Sequence, residues 1–305
     1  KLRNLQETLQ SAQVISLDTE TTSTDPMRAN LVGISLAVKA GEGFYIPVGH
    51  ATGEAQLPVE KVIEALKPAL RDARVPKVGH NLKYDALVLA RNGLPVKPLV
   101  FDTMIAEWLL QPESYTLGLK DIAASRLGLA MTHIEELIGK GKNQITMDRV
   151  PVAKAAPYAA ADAEVCLRLM PILTEKMEEA NATRLFNDIE MPLVPVLMQM
   201  ERNGVKLDVP FLRNMSAELS DRLGEIEKSI WEAVGYSFNI NSTQQLSKAL
   251  FETLKLEPLD RRWKTSSGHY STSAGVLLEI SDQHPVVELI LEHREISKLR
   301  STYLE

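Results

Sequence analysis

The chain has 305 residues, 45% of them hydrophobic and 24% charged, with a formal net charge of −6 and a single cysteine. Its length supports a large buried core in one or two domains. The lone Cys166 excludes an intrachain disulfide and a cysteine-built zinc cage, and the acidic balance disfavours a broad electrostatic grip on duplex nucleic acid.

No apolar run is long enough to cross a bilayer and no signal-peptide pattern is present, so a cytoplasmic, membrane-free monomer is expected. The sequence begins at Lys1 without an initiator methionine and stops at Glu305 inside a helical pattern, which reads as a piece of a longer polypeptide.

In chain order, the apolar run at 13–17 leads into Asp18-Thr19-Glu20 and predicts a buried strand with carboxylates at its end. Runs at 31–38 and 43–48 predict two more strands, with Gly41 and Gly43 marking the turn between them in meander order. An amphipathic helix is expected over 59–72, a strand over 75–80, and a helix opened by Asn81 and closed by Gly93. Such alternation predicts a mixed sheet flanked by helices, an α/β arrangement. Pro157 suits the first turn of a later helix, which Pro171 is placed to kink. Beyond residue 185 the pattern turns to long helices: a run at 191–204, another over 211–234, a capping-box signal at Ser242–Gln245, and a helix over 285–305. The polar stretch 259–272 predicts an exposed loop. These shifts divide the chain into 1–184 and a mainly helical 185–305.

The chemistry gathers in carboxylates. Side chains two apart on a strand share a face, so Asp18 and Glu20 present two charges together. At about 4 Å and an effective dielectric near 20 they repel by roughly 4 kcal/mol, which a proton or a cation must offset. Asn81 and Asp85 share a helical face by their four-residue spacing, and so do Tyr158 and Asp162, beside small alanines that permit close approach. Hard oxygen ligands without a cysteine or histidine cluster favour Mg²⁺ or Mn²⁺, and two such ions suit in-line attack on a phosphodiester.

Taken together, DTETTSTD at 18–25, GHNLKYD at 79–85 and YAAADAE at 158–164 resemble the three exonuclease motifs of the family A DNA polymerases, in order and in approximate separation. The resemblance continues through FDTMIAEWLL at 101–110, IGKGKNQ at 138–144 and IEMPLVPVLMQMERNGVKLD at 189–208. It implies a ribonuclease H-like 3′-5′ exonuclease domain followed by a thumb-like helical domain, with palm and fingers absent and no primer extension by this polypeptide alone. By the same resemblance Asp18, Glu20, Asp85 and Asp162 hold two divalent metal ions, and Tyr158 orients the attacking water. The histidine version of this superfamily carries its histidine where Pro157 stands, so the chain resembles the tyrosine version. Asn81 and Tyr84 match positions that line the terminal nucleotides of a single-stranded DNA 3′ end. Ile134 falls near a position that packs on a base, although its pattern suits a core residue equally. Thr24 departs from a larger apolar residue common near its place.

The segment 285–305, with Arg294 and Lys298 four apart, resembles the start of the thumb that touches primer-template duplex, while the spacing alone fits a solvated charged stripe as well. The motifs by themselves also permit a ribonuclease D-like RNA-trimming nuclease, against which the thumb-like half argues. A catalytically silent DNA-binding module is opposed by the presence of all four carboxylates and the tyrosine.

Overall fold

The computed structural model describes residues 1–258, 264–265 and 268–304. Of the loop expected at 259–272, positions 259–263 and 266–267 lie outside the described residues, as does Glu305. The chain divides into two compact units, Lys1–Gly204 and Val205–Glu305.

The first unit is built on a five-stranded sheet of order β3-β2-β1-β4-β5, with β1 Ile15–Thr21, β2 Leu31–Lys39, β3 Glu42–Pro47, β4 Lys77–Gly79 and β5 Leu99–Asp102. β1, β2 and β3 form the expected antiparallel meander, while β4 and β5 run parallel to β1, so the sheet is mixed. Ile15 and Leu17 point to one face and are fully buried against helices α1 (Leu2–Gln10), α2 (Val59–Arg71) and α3 (Leu82–Arg91). Burying a leucine side chain of this kind is worth about 2 kcal/mol. Ser16, Asp18 and Glu20 alternate to the opposite face, where α4 (Thr103–Leu110), α5 (Leu119–Leu127) and α7 (Val152–Glu179) pack; the short α6 (Ile134–Ile138) precedes α7.

Small residues let α7 approach this face closely. A Cβ on Gly43 would stand 2.4 Å from the Ala160 carbonyl oxygen, and Ala155, Ala159 and Ala163 are fully buried along the helix. The helix starts at Val152 rather than at Pro157, because Pro151 precedes it and the Glu54 carboxylate accepts the Val152 N–H at 3.1 Å. Pro157 and Pro171 therefore both lie inside one helical element.

The segment from residue 185, expected to open the helical half, folds with the first unit instead. After the short α8 (Thr183–Leu185), Phe186 is buried with its ring 5.1 Å from that of Phe101, and Met191 of α9 (Met191–Asn203) joins the same core. Gly204, with φ of 64°, ends α9.

The second unit is helical: α10 (Val209–Val234), α11 (Thr243–Ser247), α12 (Ala274–Glu279) and α13 (Pro285–Leu299) enclose a core around Ile226, Ile230, Leu250, Leu277, Val287 and Ile290. The Ser242 hydroxyl accepts the Gln245 N–H at 3.4 Å, but the Gln245 side chain accepts from Asn239 instead of closing the capping box. No helix among the described residues is long and apolar enough to cross a membrane.

Candidate metal centre

The strand β1 delivers its two carboxylates as its alternation requires, and α7 lays a third over them. Asp18, Glu20 and Asp162 each place a carboxylate oxygen within 4.8 Å of the others. Glu20 and Asp162 are buried, and Asp18 is partly exposed. A bulge lies beside them: Glu20 pairs with Gly33 and Thr21 with Leu31, so Val32 is left over and β1 ends at the site. Bulges of this kind re-aim a strand where its pairing stops.

Asp85 is buried close by on α3 but outside that trio. Its Oδ1 accepts the Thr19 N–H at 2.8 Å and the Thr19 hydroxyl at 2.6 Å. Asp85 is the largest charge contribution raising the pKa of Asp18, after burial itself. Tyr158 stands one turn before Asp162 on α7, as the spacing predicts, and the Asp162 charge acts on its phenol.

The electrostatics follow from crowding. Burial, then Asp85, Glu20 and Asp162, hold the Asp18 carboxyl well above the ordinary carboxylate range. Burial and then Asp162 push Glu20 up to about 8. Burial pushes Asp85 up to about 7 against the opposing hydrogen bonds from Thr19. Asp162 is raised by burial, with Lys120 the main opposing influence. Burial and the neighbouring carboxylates raise the Tyr158 phenol, which keeps it a donor. Crowding of this kind favours protonation, and a divalent cation would offset the same charge.

Lys120 is a member of the site that spacing did not reveal. Its ammonium pairs with Asp162 Oδ1 and stands 4.4 Å from the centre of the Tyr158 ring, joining an ion pair to a cation–π contact. Both charged groups are largely buried, at 14% and 9% side-chain exposure, so removal of either would strand the other. His80 lies near enough for the Lys120 charge to act on it; burial and then that charge lower it to about 4, and its Nδ1 bonds the Thr103 hydroxyl at 2.9 Å.

Asp102 is a second unforeseen member, acting on the supporting backbone. Its carboxylate accepts from the N–H groups of Asn81 (3.0 Å), Leu82 (2.7 Å), Met104 (2.9 Å) and Ile105 (3.4 Å), tying the N-termini of α3 and α4 to one anion. The linkage holds Asn81 in the left-handed region at φ 54°, which asparagine tolerates better than most residues.

Tyr84 turns its hydroxyl to the Thr21 hydroxyl and the Ser23 carbonyl, pinning the loop that follows β1 and carries the exposed Thr24. Ile134 opens α6 and is 40% exposed, so it is not a core residue; Leu137 and Ile138 of that helix pack in the apolar cluster that includes Tyr158. In the second unit Arg294 donates to the Thr272 carbonyl and, at 3.2 Å, to its hydroxyl, while Lys298 is exposed one turn further along α13.

Comparison with known proteins agrees with this geometry. A family model described as 3′-5′ exonuclease matches residues 1–178, and one described as DNA polymerase family A matches residues 209–305. DNA polymerase I of Chloroflexus aurantiacus is 42% identical over 100% of this chain, which covers 32% of that protein. DNA polymerase I of Pseudomonas aeruginosa is 39% identical over 97% of this chain, which covers 33% of it. The chain thus spans about a third of the length of these curated relatives. Among solved structures, the POL domain of Pol1 from M. smegmatis, in complex with DNA primer-template and dNTP, matches 99% of this chain and 47% of its own with a TM-score of 0.75. At 21% identity that likeness shows the shared fold alone: a mixed sheet flanked by helices, followed in the chain by a mainly helical unit.

Proposed function

We propose, since this chain belongs to the 3′-5′ exonuclease family, that its first unit hydrolyses the last phosphodiester of a single-stranded DNA 3′ end and releases a nucleoside 5′-monophosphate. The observation that carries the proposal is the convergence of Asp18, Glu20 and Asp162 within 4.8 Å, with Tyr158 one turn before Asp162 on α7.

The donor set fits hard divalent ions. It is all oxygen and largely buried, and Lys120 is the cation paired within it. Asp18, Glu20 and Asp162 would hold one Mg²⁺ or Mn²⁺, and Asp18 with Asp85 a second. Both Thr19 bonds fall on Asp85 Oδ1, so Oδ2 is the oxygen that would serve a cation. When bound, such ions supply a nucleophilic hydroxide from water and neutralise charge on the reacting phosphate. Glu20 and Tyr158 aim the water, Glu20 by accepting its proton and Tyr158 by donating from a phenol that its surroundings keep protonated. Lys120 holds Asp162 and the Tyr158 ring in one arrangement throughout.

Asn81, Tyr84 and Ile134 would line the terminal nucleotides, with bases stacking on exposed apolar and aromatic surface. Arg294 and Lys298 of the second unit would contact primer-template duplex, as phosphate partners. Template-directed synthesis in replication and repair is proposed for a longer parent protein, working in the cytoplasm as a monomer, and not for this chain alone.

The test is degradation of a 5′-labelled single-stranded DNA, and of an RNA of the same sequence, in Mg²⁺ or EDTA, with an Asp18→Ala, Asp162→Ala double variant alongside. A metal-dependent ladder shortening from the 3′ end of DNA, absent in the variant, is expected. Preferential trimming of RNA would move the assignment to a ribonuclease D-like enzyme, and no ladder from folded protein in either ion would leave a DNA-binding scaffold.

A further inference from the structure

The N-terminus of α7 is held by a clamp that none of the site motifs contains. The Val150 carbonyl lies just before the first helical residues, where it has no intrahelical donor, and His50 Nδ1 reaches it at 2.8 Å. A carbonyl only accepts, so Nδ1 carries the proton and Nε2 is left as an acceptor. Nε2 is filled by the Tyr45 hydroxyl at 2.6 Å, with the two rings edge to face at 5.8 Å and 83°. Every hydrogen-bonding atom of the buried imidazole is thereby used in one tautomer.

Two more bonds from the same loop run in parallel. The Ala51 N–H donates to the Asp148 carbonyl at 2.7 Å, and Glu54 accepts from Val152 at the start of α7. The Gln56 side chain closes the loop on itself through both the N–H and the carbonyl of His50.

Tyr45 connects this clamp to the metal centre. It stands on the same sheet face as Asp18, because Ser35 pairs with both Asp18 and Tyr45. Its ring occupies the space a Cβ on Gly33 would need, at 2.3 Å, and Gly33 is the residue paired with Glu20. Tyr45 and Tyr158 pack in one apolar cluster with Val150 and Ala155. At about 1.5 Å per residue, Tyr158 lies about 9 Å along α7 from Val152, fewer than two turns from the clamp.

We infer that Tyr45 and His50 are positioning residues that set the gap between Glu20 on β1 and Tyr158 on α7, and so the place of the attacking water. Neither is a catalytic residue. The hydroxyl and imidazole act through the α7 backbone on one side and through the Gly33–Glu20 strand pair on the other. This inference rests on the exonuclease reading above.

Three variants separate the parts. Tyr45→Phe removes the donor to Nε2, His50→Leu removes both bonds, and His50→Asn keeps an N–H donor near the position of Nδ1. For each, kcat and KM on 5′-labelled single-stranded DNA in saturating Mg²⁺ are measured well below the melting temperature, with Mn²⁺ affinity read separately from the free-ion electron paramagnetic resonance signal. Supporting groups of this kind are worth about tenfold or more in activity or metal affinity. His50→Leu is expected to lower kcat about tenfold with KM within about twofold, and His50→Asn to recover most of the loss. A residue needed only for stability would lower the melting temperature and leave kcat per folded molecule unchanged. Parental kcat and parental Mn²⁺ affinity in folded His50→Leu and Tyr45→Phe overturn the inference while the exonuclease reading stands. A parent chain inactive in both ions overturns the reading and the inference with it. Should His50→Leu not fold, Tyr45→Phe and His50→Asn decide: a fall in kcat in the first that is smaller in the second supports positioning, and parental kcat in both sinks it.

Discussion

Glu20→Gln, studied in the absence of metal, isolates the cost of assembling the carboxylates. Burial and Asp162 raise Glu20 from an ordinary 4.5 to about 8 in the folded protein. The folded state therefore binds this proton more tightly than the unfolded chain does. Its contribution is fully present below pH 4.5 and is lost as pH rises through about 8. The difference between 4.5 and about 8, at 1.36 kcal/mol for each factor of ten, is roughly 5 kcal/mol. Glutamine keeps the shape and cannot ionise. In EDTA the variant should match the parent near pH 5 and exceed its stability at pH 8 by a few kcal/mol, read from the urea transition of the first unit. Saturating Mg²⁺ should reverse the order, because it stabilises the parent through the carboxylate the variant lacks. Identical pH profiles for the two proteins in EDTA would refute the electrostatic account.

Tyr158→Phe should fold normally and lose about 100-fold in kcat on single-stranded DNA with little change in Mn²⁺ affinity, if the phenol aims the water and binds no ion. Lys120→Met strands a buried carboxylate, so the metal-free protein should be destabilised by about 3 kcal/mol at pH 8, measured by urea unfolding. The deficit should shrink toward pH 5, where Asp162, raised by burial, takes up a proton more readily. Asp102→Ala leaves four N–H groups at two helix ends without their acceptor and should cost at least about 3 kcal/mol by thermal or urea melting. Gly43→Ala pushes a methyl against the Ala160 carbonyl; a destabilisation of about 2 kcal/mol is expected in the same assay, with a fall in exonuclease rate from the displaced α7.

The parts of the site that could be read from the sequence are those set by local periodicity. Asp18 and Glu20 share a face because strand side chains alternate, and Tyr158 and Asp162 share one because four residues make about one helical turn. The meander of β1–β3 and the limits of α2 were legible for the same reason. What spacing could not supply is contact between distant segments. Lys120 reaches Asp162 across 42 positions, and nothing in GLKD distinguishes it from a solvated helical lysine. Asp102 did carry a signal, since an aspartate before an apolar run is a helix N-cap, but its second pair of donors comes from α3. The helix α7 begins earlier than Pro157 suggests, because Pro151 at its N-cap and Glu54 from a remote loop fix the first turn at Val152, contacts that local spacing does not show. The segment after 185 is helical as expected, and its membership of the first unit depends on Phe186 finding Phe101.

The dependence of the centre on α7 also orders events during synthesis. A nascent chain that has completed the β1–β3 meander carries Asp18 and Glu20 together but lacks the third carboxylate, the tyrosine and Lys120, all of which come later. Closing that loop is a long-range step, made late for topological reasons. Until the ribosome has released the helix ending at Glu179, the growing polypeptide holds at most three of the five proposed site residues, Asp18, Glu20 and Asp85. The order of elements along the chain thus delays completion of the proposed site until α7 has been made.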